Sequence, residues 1–339
     1  MDRRYKFPET PYAANKDYNP DLPSVIGKSF ALKFDGTITA GAGGGVSGFF
    51  LDAPAGLVGT VELMKGNDAK LRMRMVDLYH LDALCNGRYG EKLQGAPTAN
   101  NSLPFSINVE IPFGLNRLTE NYALIDARRD KLITKGKFGS GVNDYATTNV
   151  ANITAQLRPS VKKPSSLPDK IYLEPEFVQK DIKIDTSSDN IQDVIYLKES
   201  YLFMGLLLRQ FDYSASGDAQ RTDGILRQII IEINGEEKIR ARWGEVKQET
   251  MKFFSMPLAE MKTGIGFLPF VDDSNDMGYV VLEAGSRIEF TLNTSATVEE
   301  DITAVTPASG DLLIVTPIIY KIKSLPVSPI MARKSLWRR

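Results

Sequence analysis

A short stretch occurs twice in this chain of 339 residues, and it constrains the possible folds more than any other feature. It reads KLRMR at 70–74 and KIRAR at 238–242. Each copy follows a turn glycine, alternates basic and apolar side chains as a strand does, and leads into a segment with helical spacing. Internal repetition of this kind predicts two similar domains in tandem.

Further matches follow the two copies in the same order along the chain. They are Asp77-Leu78 with Glu245-Val246, VEIPF (109–113) with GFLPF (266–270), ALIDARRDKLITKGKF (123–138) with VVLEAGSRIEFTLN (280–293), and VANITAQL with DLLIVTPIIYKI. A conserved order of several landmarks argues against chance similarity of the short stretch. The segments at 76–84 and 243–254 are the predicted helices, one per domain.

The remaining pattern is that of short strands. Each half has about eight strand-like runs bounded by turn signals, and Asn234-Gly235 is a strong hairpin signal. The predicted fold class is therefore all-β, with two tandem antiparallel sandwiches that each carry a short flanking helix. Eight strands suit a jelly roll, but periodicity alone leaves immunoglobulin-like topology open.

Composition shifts set the predicted domain boundaries. Residues 1–24 combine prolines with aromatic and basic side chains and read as an extended arm. The first roll is predicted at 25–166 and the second at 167–323, with a proline-rich linker at 159–170. Residues 324–339 form a basic C-terminal tail.

Charge and residue usage exclude several function classes. The 41 basic and 42 acidic residues give a net charge of -1, so no global field favours nucleic acid, and no sequence-specific nucleic-acid binding is expected. His80 and Cys85 are the only histidine and cysteine, which excludes a zinc site of His/Cys type and an intrachain disulfide. No apolar run is long enough to span a bilayer, and the N-terminus lacks a signal-peptide pattern.

Candidate chemistry is sparse. The glycine run at 41–45 lacks the lysine and hydroxyl of a phosphate loop. His80 has no partner at triad spacing and is expected to be a surface or packed residue. Asp272, Asp273 and Asp276 suit calcium in residue type but not in spacing, and a turn is the simpler interpretation. We therefore expect no enzyme, no cofactor and no metal.

The C-terminal half resembles the double jelly-roll major capsid proteins of tailless icosahedral phages with an internal membrane, the lineage of tectiviruses, corticoviruses and adenoviruses. The similarity rests on RTDGILRQIIIEINGEEKIRARWGEVKQE, GIGFLPF and VVLEAGSRIEFTLN. It implies a double jelly roll and a homotrimer of pseudo-hexameric outline. Such trimers tile a shell over lipid, beside neighbouring capsomers and minor capsid or penton proteins. It also implies location in the virion after assembly in the host cytoplasm.

The chain ends are the candidate contact sites. The tail residues expected to contact membrane or the particle interior are Arg333, Lys334, Trp337, Arg338 and Arg339. The residues expected in an inter-subunit arm are Arg3, Arg4, Tyr5 and Phe7. Basic residues with an interfacial tryptophan suit anionic headgroups, although genome, a neighbouring subunit or solvent are alternatives for the tail. Alternative functions for the chain are a carbohydrate-binding or carbohydrate-active sandwich, or a minor capsid or spike protein.

Overall fold

The computed structural model describes residues 4–49, 54–87, 97–115, 119–139, 146–168, 171–184, 190–212, 220–270, 279–294 and 311–324. These residues form two helices, α1 (Met75–Asn86) and α2 (Trp243–Phe254), and short 3-10 segments at Ala55–Val58 and Leu258–Glu260. The strands, numbered in chain order, are β1 (Arg4–Lys6), β2 (Thr10–Pro11), β3 (Asp17–Tyr18), β4 (Asp21–Gly27), β5 (Ser29–Ala40), β6 (Ser47–Phe49), β7 (Thr60–Lys65), β8 (Asp68–Arg74), β9 (Ser102–Pro112), β10 (Ile125–Lys137), β11 (Ala146–Thr148), β12 (Val150–Lys162), β13 (Ile171–Val178), β14 (Lys180–Lys183), β15 (Asn190–Tyr196), β16 (Tyr201–Asp212), β17 (Gln220–Arg221), β18 (Gln228–Ile233), β19 (Glu236–Arg242), β20 (Ile265–Pro269), β21 (Val280–Leu282), β22 (Arg287–Asn293) and β23 (Leu312–Ser324).

The first roll is built mainly of two antiparallel sheets, and β6 pairs with β11 in a separate two-stranded ladder. One has the strand order β1-β12-β5-β9, with β2 also paired to β12. The other has the order β4-β10-β7-β8. Counting β1 and β2 as one interrupted strand gives eight strands in two sheets of four, which is the composition of a jelly roll.

The second roll repeats this order strand for strand. One sheet runs from the β13 and β14 pair through β23 and β16 to β20, and the other runs β15-β22-β18-β19. The fold prediction of two tandem eight-stranded jelly rolls, each with a short flanking helix, is therefore confirmed. The repeated landmarks of the sequence occupy equivalent strands and helices in the two rolls.

The repeated basic stretch forms the strand that precedes each helix. KLRMR ends β8 and KIRAR ends β19, and the next residue begins α1 or α2. The predicted hairpin joins β18 to β19, where Asn234 and Gly235 have φ of 54° and 82°. Positive φ at both positions is what a tight primed turn requires, and glycine and asparagine reach it at low cost. Neither described helix is long and apolar enough to cross a bilayer.

Two predicted boundaries differ from the structure. Residues 4–24 are not a separate arm, because β1 and β2 supply the first strand of the first roll and β4 runs across the predicted boundary at 24. The linker predicted from 159 begins later, because β12 continues to Lys162. Pro159 lies within β12, where its carbonyl accepts the Phe7 N–H at 3.1 Å. This side of β12 faces the gap between the β1 and β2 pairings. The N–H that proline lacks would point to the same gap, so its absence breaks no bond of the sheet.

The two rolls are joined by one continuous sheet and by one hydrophobic cluster to which both contribute. β8 of the first roll pairs in parallel with β13 of the second, through Leu71 with Phe177 and Arg72 with Val178. β16 is buried along almost its whole length, since one face packs in the core of the second roll and the other in the cluster shared with the first. The contact between the rolls is therefore built like a protein interior.

Candidate assembly interfaces

Helix α1 carries the polar centre of the contact between the rolls. Asp77 in its first turn lies 3.4 Å from an Nη atom of Arg209 in β16, and both side chains are 1% exposed. Arg209 also donates a hydrogen bond of 2.6 Å to Thr316 Oγ1 in β23. Burial raises the pKa of Asp77, and the nearby guanidinium offsets only part of that rise. The pair thus fixes α1 on the second roll in a solvent-excluded position.

The KLRMR strand contributes further ion pairs to this contact. Lys70 Nζ lies 2.9 Å from a carboxylate oxygen of Glu174, with both side chains almost fully buried. Arg74 reaches Asp181 in β14 at 2.6 Å. Lys70 therefore does not lie on a solvated face, because the parallel pairing of β8 with β13 covers it. In the second copy, Arg240 is exposed and pairs with Glu237.

His80 is a packed residue, which is one of the two alternatives that its sequence context predicts. It is 1% exposed in α1, meets the ring of Tyr79 edge-on at 5.4 Å, and contacts the Arg221 guanidinium of the second roll. Its position between the rolls leaves it a structural role.

Both helices bind the outer edge strand of their own roll in the same way. Asp82 of α1 accepts the N–H of Glu110 in β9 at 3.0 Å. Thr250, at the corresponding position of α2, accepts the N–H of Phe267 in β20 at 2.6 Å. Burial raises the pKa of Asp82 to about 6, whereas Thr250 carries no charge. The two side chains thus perform the same structural task with different electrostatic cost.

The outer faces of the two helices differ. Nine of the twelve residues of α1 are buried, because the second roll covers the face that its own roll leaves open. Only three of the twelve residues of α2 are buried: Trp243, Val246 and Thr250. Within the described chain nothing equivalent to the second roll lies on α2.

A second open surface lies on the first roll. The outward face of β1, β12, β5 and β9 lines a cleft of about 710 Å³ whose walls include Ala31, Lys33, Asn108 and Arg158. In the second roll the corresponding face of β23, β16 and β20 is covered by α1. In the single chain, α2 is therefore not covered by a sheet of another roll, and the outward face of β1, β12, β5 and β9 is not covered by a helix of another roll.

The predicted arm residues lie beside this cleft. Phe7 is 3% exposed and belongs to the core of its own roll. Arg4 is exposed and lies 2.6 Å from Glu110, while Tyr5 packs partly buried against the same core. Burial alone would raise the pKa of Glu110, but its hydrogen bonds with Arg4 and Ser29 outweigh that effect and lower it. Arg4 and Tyr5 thus remain candidates for contact with another subunit.

Several other predicted residues lie outside the part of the chain that the structure describes. They are Arg3 and the tail residues Arg333, Lys334, Trp337, Arg338 and Arg339, together with the acidic loop residues Asp272, Asp273 and Asp276. Among the described residues, no group of three or more His, Cys, Asp or Glu side chains has the arrangement of a metal site.

Sequence reasoning missed the residues that carry the contact between the rolls. The alignment of Asp77 with Glu245 was the available signal, since an acidic residue at the same point of both helices invites a search for a basic partner. Arg209 lies in a long apolar run of β16, where an isolated arginine is costly unless it is paired. These two clues together would have identified the pair.

Two eight-stranded rolls of one topology, fused through a parallel strand pairing, define a double jelly-roll protein. No protein-family model matches the chain, and no curated protein matches its sequence. Solved structures match along nearly its full length. The STIV MCP, of Sulfolobus turreted icosahedral virus, has a TM-score of 0.67 and 12% identity, with 94% of this chain and 96% of that chain covered.

Two further viral structures have the same fold. The PBCV-1 virus capsid has a TM-score of 0.59 and 10% identity, with 97% of each chain covered. The major capsid protein P2 of bacteriophage PM2 has a TM-score of 0.51 and 7% identity, with 97% of this chain and 99% of that chain covered. At these identities the likeness establishes a shared fold.

Proposed function

We propose that this protein is a viral major capsid protein. The observation that carries the proposal is a match that spans both rolls and nearly the full chain, to the STIV MCP, the PBCV-1 virus capsid and the major capsid protein P2 of PM2. A fold alone does not fix a function. Here, however, the similarity covers at least 94% of this chain and at least 96% of each compared chain, and the proposed role, forming a shell, depends on the fold rather than on a catalytic site.

The mechanism is assembly. Two fused rolls give one chain two similar wedges, so three chains around an axis present six wedges and a nearly hexagonal outline. Heterologous contacts between successive subunits close into a ring when the rotation per subunit divides the circle. Such a trimer tiles a surface with few kinds of contact. The activity of the protein is therefore a set of interfaces, and no catalytic step is required.

The oligomeric state tests this proposal. We expect the purified full-length chain to sediment as three copies of the 37.6-kDa chain, and negative-stain images to have a hexagonal outline. A monomer that persists at high protein concentration would contradict the proposal. A monomer that binds glycans would favour the alternative of a carbohydrate-binding sandwich.

Copy number distinguishes a major from a minor capsid or spike protein. In purified particles we expect this chain to be the dominant band of a stained gel, because it would tile the shell beside rarer penton proteins. A band present at only a small fraction of the main shell protein would assign the chain to a minor component. Assembly would take place in the host cytoplasm before the chain enters the virion.

We further propose that the basic tail lies on an internal membrane. Its support is sequence chemistry: Arg333, Lys334, Arg338 and Arg339 surround Trp337 without an acidic residue. Each basic residue near an anionic surface contributes about 1 kcal/mol, and this contribution weakens with salt. A tail of this composition suits lipid headgroups better than an apolar protein groove.

Vesicle flotation tests the tail. Deleting residues 331–339 should reduce co-flotation with vesicles of phosphatidylglycerol and phosphatidylcholine at low salt. The matched control replaces only the four basic residues by glutamine and keeps Trp337, which separates charge from apolar insertion. Unchanged flotation of the deletion variant would refute the membrane role.

A further inference from the structure

The pairing registers set residue equivalences between the two rolls. The matching VEIPF and GFLPF segments of β9 and β20 place Asn108 over Ile265. Lys33 of β5 lies opposite Asn108, and Arg209 of β16 lies opposite Ile265. Lys33 therefore occupies in the first roll the position that Arg209 occupies in the second. It is half exposed, and its Nζ lies 3.9 Å from a carboxylate oxygen of Asp35.

The helices supply the other half of the equivalence. Asp77 and Glu245 hold the same position, three residues after the strand that leads into each helix. Asp77 is buried on Arg209 within the chain, whereas Glu245 is exposed and accepts the N–H of Arg242. An acidic residue on the open helix thus corresponds to a basic residue on the open sheet face.

A second charged pair repeats in the same way. Arg74, at the end of β8, contacts Asp181, which lies opposite Ile314 of β23. Ile314 corresponds to Arg158, because the two pair with Arg209 and Lys33 respectively. Arg158 contacts two acidic residues, Asp35 of β5 and Glu9 at 2.9 Å, and only Glu9 lies on the interrupted β1–β2 strand, which corresponds to β13 and β14. Glu9 is therefore the equivalent of Asp181, and Arg242 at the end of β19 is the equivalent of Arg74.

The unpaired strand edges indicate the same contact as the charged pairs do. β8 is joined to β13 within the chain, and the equivalent strands are β19 and β1. Each of these ends its sheet with no second neighbour among the described strands. Extending the β13 register by one residue places Phe177 and Val178 over Arg4 and Tyr5. Unpaired edges are open to strand addition, and the charges of β19 limit it to a matching partner.

We propose that β19 and α2 of one subunit bind the β1 edge and the open cleft of the next subunit, repeating between chains the contact that β8 and α1 make within the chain. Glu245 then pairs with Lys33 of the neighbouring copy, and Arg242 pairs with its Glu9. This inference rests on the proposed trimer and specifies its contact residues.

The polarity of the two surfaces agrees with this assignment. Two positions that carry large apolar side chains in the permanent contact, Leu207 and Ile265, carry the small side chain of Ala31 and the polar side chain of Asn108 on the cleft. A surface that must stay soluble before assembly is expected to be more polar than one formed during folding of a single chain. The cleft is thus more polar than the equivalent contact within the chain, as expected for a surface that is exposed to water before assembly.

A charge-reversal cycle tests the pairing in the full-length protein. Glu245→Lys and Lys33→Glu should each weaken trimer association by about tenfold or more per interface in sedimentation or mass photometry, because each places like charges together. The double variant should recover to within about threefold of the wild type. Glu245→Gln keeps the helix cap, removes the charge, and should weaken association about threefold. Lys16→Glu, at an exposed turn away from this surface, is the matched control and should leave association unchanged.

Cross-linking tests the geometry independently of affinity. Tyr5→Cys with Arg240→Cys should give a disulfide-linked trimer on a non-reducing gel, since paired residues of adjacent strands lie within disulfide reach. Lys16→Cys with Arg240→Cys is the control. A protein that remains trimeric by mass but neither cross-links nor recovers in the double reversal overturns this interface and leaves the proposed function standing. A protein that never forms trimers overturns both.

Discussion

Asp82 allows a direct measurement of the stability that the first roll loses by using a carboxylate where the second roll uses the hydroxyl of Thr250. Its side chain is 7% exposed and its Oδ1 accepts the Glu110 N–H, so the group is buried but held. Burial, with a smaller contribution from the charge of Glu110, raises its pKa from 3.8 to about 6. The folded chain therefore binds this proton more tightly than the unfolded chain does.

The sign of the pH effect follows. Below about pH 3.8 the group is protonated in both states; between 3.8 and about 6 only the folded state keeps the proton, so stability falls as the pH rises through this window. Above about pH 6 the loss in the free energy of unfolding is complete, and it amounts to roughly 2–3 kcal/mol for a pKa raised from 3.8 to about 6. Asp82→Asn removes the ionisation and keeps the oxygen that accepts the N–H. It should therefore raise the free energy of unfolding at about pH 8 by up to that amount.

Urea denaturation followed by circular dichroism at about pH 4.5 and about pH 8 measures the effect, at one fixed protein concentration. The gain from Asp82→Asn should be large at the higher pH and small at the lower one. Asp82→Thr, which copies the second roll, is the matched variant and should also flatten the pH dependence. A destabilisation by Asp82→Asn of equal size at both pH values would refute the assignment of a buried, costly charge.

Three further outcomes follow from the described contacts, each measured as a change in urea midpoint. Asp77→Asn and Arg209→Met should each destabilise by about 3–5 kcal/mol, because each leaves one charge buried without its partner, and the combined variant should lose less than the sum. Gly205→Ala should destabilise by several kcal/mol, since its φ is 144° and an added Cβ would fall 2.1 Å from a backbone oxygen, whereas Gly244→Ala in α2 meets nothing within 4 Å and should stabilise by about 0.5–1 kcal/mol. Thr250→Val should cost about 1–3 kcal/mol by leaving the β20 edge N–H without an acceptor. A Gly205→Ala variant that is as stable as the Gly244→Ala variant would contradict the close approach at β16.

Local structure could be predicted from the sequence because it depends on residues that are close together in the chain. The Asn234-Gly235 turn, the helix that begins at Trp243 and the alternation of the KIRAR strand all follow from residue types at short spacing. The fold class followed from the repetition of these short patterns in order. The positions of Phe7 and Pro159 did not follow, because a proline-rich segment looks like an arm until a partner strand is present to bind it.

What the sequence by itself determined is that one architecture occurs twice and that its helices carry an acidic residue at the same point. What only the tertiary structure decided is which copy of each element is covered. Lys70 and Lys238 begin the same alternation of basic and apolar residues, yet Lys70 is buried with Glu174 because β13 lies beside β8. No described strand lies beside β19 in the single chain. Burial arises from contacts between residues distant in the chain, so identical local patterns acquire different environments.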